Sequence, residues 1–160
     1  MRLLLALVLA TAVTGAASAP YDAVDEAVLQ FRKDPARERG WMLTTRGVLV
    51  VDWKQQTSTF IGLPDWLWLK KSYAPPPDLA IGPKGEALVS SNAVPVVWRI
   101  DPTSLEVSIH RPAFDRDGGR DIGLANLRYS PKQAAYFADD ALIGGIWRID
   151  PSLKRAEKIR

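Results

Sequence analysis

The sequence predicts an all-β protein of about three repeated units, each a sheet of four short antiparallel strands. The pentapeptide Trp-Arg-Ile-Asp-Pro occurs at residues 98–102 and again at residues 147–151, and 147 minus 98 gives a period of 49 residues. Short segments rich in β-forming residues surround both copies. Self-similarity at this period is typical of repeat architectures in which every repeat is one supersecondary unit.

The similarity continues upstream of the pentapeptide. Residues 79–84 align with residues 127–132 (127 minus 79 gives 48), and residues 87–89 align with residues 135–137 at the same spacing. The third unit should therefore contain one extra residue, which we place near Gly144-Gly145.

A weaker copy precedes these two units. Residues 48–52 align with residues 97–101 at the spacing of the pentapeptide, and Phe60 aligns with Ile109. This copy lacks the proline and the arginine of the pentapeptide, so the sequence holds two clear units and a weaker third.

Each unit divides into short strands separated by turn-forming residues. The Asp-Pro step has the composition of a type I turn between the third and fourth strands of a unit. The predicted strands of the first unit are residues 41–45, 48–51 and 57–61. Those of the second unit are 79–81, 86–90, 96–100 and 106–109, and those of the third are 127–129, 134–138, 145–149 and 156–159.

An N-terminal arm, residues 20–39, precedes the units. Apolar residues recur in it at helical spacing between Asp22, a possible cap, and Pro35, which would end the pattern. They are Val24, Ala27, Val28 and Phe31. This spacing predicts a short helix, and a strand of the first unit is the alternative.

An insertion, residues 62–77, interrupts the period between the first two units. Its closing prolines favour an extended chain. Trp66 and Trp68 are not repeated elsewhere and are followed by two lysines. They are candidates for contact with a partner, a ligand or a membrane surface, and packing of the insertion onto the units is the alternative.

Residues 1–19 have the composition of a secretory signal peptide. A positive charge at the start is followed by an apolar run, residues 3–13, and then by small residues. The run is shorter than the roughly 20 residues that span a bilayer, so an uncleaved anchor is only the alternative. Cleavage between Ala17 and Ala19 would give a periplasmic or secreted protein without a transmembrane segment.

Composition narrows the possible functions. The chain has no cysteine, which excludes disulfides, Cys-ligated zinc and thiol chemistry. The net charge of +3 is small and evenly spread, which argues against nucleic acid as a partner. A hydrophobic content of 47% supplies enough apolar residues for a core.

Four short antiparallel strands at a period of about 45–50 residues are the design of a β-propeller blade. The run Ala-Ile-Gly-Pro-Lys-Gly-Glu-Ala-Leu-Val at residues 80–89 and Val-Trp-Arg-Ile-Asp-Pro at residues 97–102 carry a specific resemblance. They resemble blades of the exported bacterial propeller proteins of the NHL, YVTN and gluconolactonase-like group. The resemblance covers residues 40–160 and implies a propeller-like domain of about three blades.

Three blades are too few to close a ring, since closed propellers have about 4–8. An open arc would leave an apolar face at each end. We expect two copies to pair into a six-bladed ring or the arc to dock on another protein, and the competing view is that the N-terminal segment and the insertion cover the ends. The predicted function is an exported binding or scaffolding protein that engages a partner or a small ligand.

The resemblance also implies an alternative, a metal-dependent hydrolase of the lactonase type. Gluconolactonase-like enzymes hold a divalent cation in the central channel with Glu, Asn and Asp side chains from different blades. The candidate equivalents are Asn92, Asn126 and either Asp139 or Asp140, and Asn92 corresponds to Asp140 at a spacing of 48 (140 minus 92). Apart from this cation no cofactor is expected. Residues 115–121, with three carboxylates around two glycines, are either a calcium loop or a solvated loop.

Three further residues are candidates for ligand binding. Arg99 and Arg148 each follow a tryptophan, so indole and guanidinium groups could form a surface for carbohydrate or aromatic ligands. The alternative is that each repeated tryptophan fills the space between units. His110 is the only histidine, and it is opposite in phase to Val107 and Ile109, so it should point away from their face as a surface or groove residue.

Overall fold

The structure is a computed structural model that describes residues 27–70, 75–115 and 121–159. Over these residues the protein is all-β, with three sheets and a single turn of 3-10 helix at Pro35–Arg37. The coarser part of the predicted fold class, an all-β protein with three antiparallel sheets, is therefore confirmed, and the sheets have four or five strands. The predicted signal segment and most of the acidic loop at 115–121 lie outside the described residues.

Each sheet is formed by strands that are consecutive in the chain. The first sheet contains β1 (Val28–Asp34), β2 (Arg39–Thr44), β3 (Gly47–Asp52) and β4 (Thr57–Gly62). The second contains β5 (Leu79–Ile81), β6 (Ala87–Ser90), β7 (Val97–Ile100) and β8 (Val107–His110). The third contains β10 (Leu124–Ser130), β11 (Ala135–Asp140), β12 (Ile146–Ile149) and β13 (Arg155–Lys158). Within these sets of four, every pair of neighbouring strands is antiparallel.

The third sheet has a fifth strand at its edge. The short strand β9 (Ala113–Phe114) lies parallel to β13, with Ala113 opposite Arg155. It belongs to the linker that leaves the second sheet, so this linker ties the outer edge of the third sheet to the sheet before it. The ring of Phe114 meets that of Trp147 edge-on, with centroids 4.9 Å apart.

The predicted N-terminal helix is wrong over the residues that are described. Val28–Asp34 forms β1, which pairs with β2 and places Phe31 opposite Met42. The helical spacing rested on few apolar residues, and pairing along the whole edge of β2 satisfies more backbone groups than a short isolated helix would. The alternative expectation, a strand of the first unit, is confirmed, and Pro35 begins the turn that follows it.

The strand register confirms the period of 49 but moves the extra residue. Trp98 pairs with Val89 and Trp147 pairs with Ala138, so Val89 corresponds to Ala138 and not to Phe137. The residues between the last paired positions, Ser91–Val96 after Ser90 and Asp140–Gly145 after Asp139, are equal in number. The expected insertion near Gly144-Gly145 is therefore wrong.

The extra residue lies in the turn between the first two strands of the third unit. Ile81 pairs with Ala87 in the second sheet, whereas Tyr129 pairs with Tyr136 in the third. The third sheet thus has one more residue between equivalent positions. The two turns are short and polar, so the sequence gives little signal to locate one additional residue there.

The second sheet lies between the other two and packs against both. We call the face of each sheet that carries the position of Trp98 its leading face, and the opposite face its trailing face. The first core joins the trailing face of the first sheet and the leading face of the second. Its buried residues are Trp41, Leu43, Val48, Val50, Ile61, Leu63, Leu79, Ala87, Val89, Val96, Trp98 and Ile100.

The second core repeats this arrangement one sheet further along the chain. It joins the trailing face of the second sheet, through Ala80, Leu88 and Val97, to the leading face of the third. Trp98 and Trp147 occupy the same position in the two cores and are 1% and 0% exposed. The expectation that each repeated tryptophan fills the space between two units agrees with this packing.

Candidate functional site

The leading face of the first sheet is the largest group of exposed apolar side chains in the described part of the chain. The strand register places a set of seven side chains on this face of the sheet. They belong to Phe31, Lys33, Met42, Leu49, Val51, Ser58 and Phe60, with Gly40 between them. Phe31 is 42% exposed and Phe60 is 39% exposed. Trp53, which follows β3, is 45% exposed, and its ring lies with that of Phe31 over Gly40.

Repeat equivalence shows what this face corresponds to. Asp52 and Asp101 begin equivalent turns between the third and fourth strands of their sheets. Leu49 is therefore equivalent to Trp98, and Phe60 is equivalent to Ile109. In the second and third sheets the equivalent face is buried against the preceding sheet. In the first sheet the same apolar face is half-exposed.

The trailing face of the third sheet, at the other end of the array, is different. Arg148 pairs with Glu157 at 2.7 Å, and Arg128 lies 3.6 Å from Asp139. Phe137, whose backbone pairs with both arginines, is only 7% exposed. The expectation of an apolar face at each end therefore holds best at the first sheet, because at the other end the two ion pairs flank Phe137, which occupies the position of Leu88.

The insertion packs onto the first two sheets and not onto an end face. The indole N–H groups of Trp66 and Trp68 both donate to the carbonyl oxygen of Thr45 at 3.2 Å. Trp66 also meets Trp98 edge-on, with ring centroids 5.1 Å apart, and Trp98 donates to the carbonyl of Pro64 at 2.8 Å. Both tryptophans of the insertion are half-buried, so their first role is packing.

Asn92, one of the candidate metal ligands, holds the insertion in place. Its side chain is fully buried. The amide oxygen accepts from the backbone N–H of Leu69 at 2.8 Å, and the amide nitrogen donates to the carbonyls of Leu69 and Pro75 at 2.9 Å. The amide thus uses both of its ends on backbone groups, in the manner of a structural clamp.

We predict that Asn92→Ala lowers the free energy of unfolding by about 2–3 kcal/mol, because it leaves buried backbone groups without partners. Asn92→Asp should cost at least as much, since a carboxylate cannot donate to the carbonyls of Leu69 and Pro75. Urea denaturation measures both changes. Faster limited proteolysis within the insertion would locate the damage, and unchanged stability of both variants would contradict the clamp.

Asp140, a second candidate ligand, also uses its side chain for hydrogen bonds within the fold. Its carboxylate accepts from the indole N–H of Trp147 at 2.9 Å and from the backbone N–H groups of Leu142 and Ile143. The hydroxyl of Ser91 accepts from the equivalent N–H groups two and three residues on. Asp140 therefore corresponds to Ser91 (140 minus 91 gives 49), and the correspondence with Asn92 was wrong by one residue.

The third candidate ligand, Asn126, contacts the alternative candidate Asp139. Asn126 sits at a bulge of β10 with a positive φ of 49° and donates to the carboxylate of Asp139 at 2.8 Å. Asp139 faces the trailing side of the third sheet with Arg128, whereas the Asp140 side chain faces Trp147. Within the described residues no group of three or more His, Cys, Asp or Glu side chains is placed to hold a metal ion.

Arg99 and Arg148 point away from the tryptophans that precede them. Trp98 and Trp147 lie on leading faces, whereas the side chains of the arginines lie on trailing faces. Because both indoles are buried, no exposed aromatic surface arises from the repeated pair. Arg148 belongs to the charged end face, and Arg99 lines a groove with Asp101, Glu106, Ser108 and His110.

His110 faces the trailing side of the second sheet, as its phase predicts. Val107 and Ile109 pack into the first core, while His110 Nε2 lies 3.0 Å from the hydroxyl of Ser108. Ser108 also donates to the carbonyl of Arg99 at 3.3 Å. A Ser-His contact is an element of nucleophilic catalysis, but here both residues stand two apart on one edge strand, where the contact orders the side chains of the groove.

Partial burial and the Arg99 guanidinium lower the pKa of His110 below its usual 6.5. The unfolded chain then binds a proton at higher pH than the folded chain, so stability should fall as pH drops below about 6.5 and level off below the folded pKa. We predict that His110→Gln flattens this part of the profile. Burial raises the pKa of Asp78, and this shift changes the stability with pH in the opposite direction. The prediction is therefore tested by the difference in unfolding free energy between wild type and variant, measured by denaturant titration at each pH.

A buried polar contact that sequence reasoning missed joins the second and third sheets. The hydroxyl of Tyr136 donates to the carboxylate of Glu86 at 3.1 Å, and Glu86 also accepts from the backbone N–H of Lys84. The pKa of the Tyr136 hydroxyl is raised, mainly by burial and to a smaller extent by the negative charge of Glu86. The phenol is therefore a fixed donor at any physiological pH.

A pocket of about 570 Å³ opens beside the insertion. Its wall is formed by Pro64 and Leu67 of the insertion, by the loop at 94–96, and by Trp98 and residues 111–114. The lining is mainly apolar, with Asp65 and Arg111 as its charged residues. Size and lining fall within the range of small-molecule sites.

Among the described residues, no helix has the length and apolar character needed to cross a bilayer. No family model matches the chain, and no curated protein is significantly similar to it.

Proposed function

We propose that the three sheets are propeller-type blades and that the chain is an exported binding module that docks another β-sheet on the leading face of its first sheet. The observation that carries the proposal is the exposure of Phe31, Trp53 and Phe60 on that face. Exposed apolar patches of this kind mark interaction surfaces. The repeat resemblance supports the same assignment, because a blade buries both of its faces.

The chemistry of the partner follows from the contacts within the chain. Each buried leading face meets a sheet whose facing residues are aliphatic or aromatic, as Trp41, Leu43 and Val50 are for the second sheet. The docking partner should therefore present a β-sheet with an apolar face. A charged or highly polar surface would leave unpaired groups against Phe31 and Leu49.

The proposal is tested with a photo-reactive phenylalanine placed at position 31 in the full chain, expressed in its native host. Position 159 is the matched control, since Ile159 is an exposed apolar residue at the opposite end, 49% exposed. We expect an adduct from position 31 whose partner peptide, identified by mass spectrometry, is an apolar β-strand. The absence of an adduct, or equal adducts from both positions, would refute the proposal.

Export is the second part of the proposal and is supported by the composition of residues 1–19. The intact mass of the protein recovered from the host should correspond to loss of the first 17 to 19 residues. Recovery of the full-length chain in the cytoplasm would exclude export.

A second candidate function, binding of a small apolar molecule, is favoured by the pocket beside the insertion. Equilibrium dialysis against a panel of aromatic compounds tests it. Leu67→Glu, at an exposed residue of the wall, should abolish any binding. Leu142→Glu, at an exposed leucine outside the pocket, should leave it unchanged.

A further inference from the structure

The two end faces of the sheet array are chemically unequal, and this inequality decides which surface of a second copy could cover the apolar one. The leading face of the first sheet is apolar over β2 and β3, through Met42, Leu49 and Val51. The trailing face of the third sheet carries the ion pairs Arg148–Glu157 and Arg128–Asp139. Joining the two head to tail would bury both ion pairs beneath aromatic rings.

Such a head-to-tail contact is the one that a six-bladed ring of two copies requires. Burial removes water from charged groups, which costs free energy. The attraction between the paired charges offsets this cost only when the geometry is good and further hydrogen bonds are made. The aromatic rings of Phe31 and Trp53 offer no hydrogen-bond acceptor of the strength of water or a carboxylate. The expected ring is therefore disfavoured by the residues at one of its two contact faces.

The same apolar face is complementary to itself. We propose, on the basis of the proposed function, that the docked sheet is the first sheet of a second copy, with the two leading faces packed against each other around a two-fold axis. Two-fold, self-complementary contacts are the commonest in homo-oligomers. Two sheets that pack face to face bury the residues of both inner faces between them.

The position of charge on this face fits the same arrangement. Lys33 lies at the end of β1, two residues from Phe31, and is the charged residue of the set that shares this face. A two-fold contact centred on β2 and β3 leaves Lys33 at the rim, in water. Rim charges contribute little to affinity, so the contact depends on the central apolar residues.

The geometry also agrees with contacts already made within the chain. The leading faces of the second and third sheets are each buried against a facing sheet. The leading face of the first sheet has the equivalent strand register and carries apolar residues at equivalent positions. The proposed contact thus gives the first leading face the burial against a facing sheet that the other two leading faces already have, with a second leading face in place of a trailing face.

Sedimentation velocity of the full mature chain over a wide concentration range tests this inference. We expect a monomer–dimer equilibrium that Phe31→Glu weakens at least about tenfold, since a charge is buried without a partner. Ile159→Glu, the matched substitution on the trailing face of the third sheet, should leave the equilibrium unchanged. Circular dichroism checks that both variants fold, and both positions are exposed.

Cross-linking of single-cysteine variants distinguishes the two arrangements directly, since the chain has no cysteine of its own. Ser58→Cys, at an exposed residue of the leading face, should cross-link to itself with a short bis-maleimide. Glu157→Cys, at an exposed residue of the trailing face, should not. In a head-to-tail ring, Ser58 of each copy would face the third sheet of the other copy and not the other Ser58. Ser58→Cys would then give no cross-linked homodimer.

The outcomes separate this inference from the proposed function. A dimer weakened equally by Phe31→Glu and Ile159→Glu would overturn the face-to-face contact while supporting docking on the leading face. A monomer at every concentration would overturn self-pairing, and the photo-adduct from position 31 would then report on another partner. A dimer that survives Phe31→Glu would overturn the face-to-face contact, while the photo-adduct from position 31 would still decide whether another partner docks on the leading face.

Discussion

Replacing Trp98 or Trp147 with alanine is expected to lower the free energy of unfolding by about 3–5 kcal/mol in each case. Both indoles are essentially inaccessible, and each lies between two sheets. The change removes a large apolar side chain, opens a cavity and leaves a hydrogen-bond acceptor unpaired, the carbonyl of Pro64 or the carboxylate of Asp140. Chemical denaturation followed by circular dichroism measures the loss.

The matched comparison is Leu49→Ala, the equivalent position of the first sheet. Leu49 is half-exposed on the leading face, so its truncation should cost about 1 kcal/mol because less apolar area returns to water. Trp98→Phe separates the ring from its hydrogen bond and should fall between these values. At a concentration at which the chain is monomeric, a cost for Leu49→Ala equal to that of the tryptophans would mean that the leading face is already buried in the monomer.

Gly123→Ala is expected to destabilise the protein by about 3 kcal/mol, at the upper end for overpacking. A methyl group there would lie 2.2 Å from the carbonyl oxygen of Asn92 and 2.6 Å from its carbon. These are backbone atoms that cannot move aside, because Leu124 donates to the neighbouring carbonyl of Ser91 at 2.6 Å. The substitution should therefore separate the second and third sheets where the linker enters β10.

Gly62→Ala is the control for this prediction. A methyl group on Gly62 meets no atom within 4 Å, and alanine restricts the unfolded chain more than glycine does, so stability should stay the same or rise slightly. Thermal unfolding of the two variants beside wild type gives the comparison. Equal stability of Gly123→Ala and Gly62→Ala would show that the two sheets are not in contact at Asn92.

The sequence-based prediction of the fold succeeded where the signal was repeated. The pentapeptide at 98–102 and 147–151 occurs twice, and its Asp-Pro turns lie where predicted, with Asp101 and Asp150 accepting backbone N–H groups of the turn. Errors arose where the signal was local and single. The spacing of Val28 and Phe31 predicts a helix where the strand Val28–Asp34 forms, because local spacing carries no information about the edge of β2 that pairs with this strand.

The candidate site was only partly predictable. The sequence shows that Asn92 and Asp140 are polar residues at strand ends, but it does not show that backbone groups of the insertion and of the following turn occupy them. An apolar face at one end could be foreseen from the alignment of Phe60 with Ile109. The sequence does not predict the charged face at the other end, because Arg148 meets Glu157, and Arg128 meets Asp139, only through the strand register.

Concentration-dependent carbene footprinting of the full chain tests the central claim most directly, that the leading face of the first sheet is a docking surface. At high dilution, peptides containing Phe31 and Trp53 should be labelled strongly, and their labelling should fall as the protein concentration rises. Peptides of the trailing face, such as those with Glu157 and Ile159, should be labelled equally throughout. Labelling of Phe31 and Trp53 that stays constant at every concentration, in the purified protein and in host extract alike, would contradict the account.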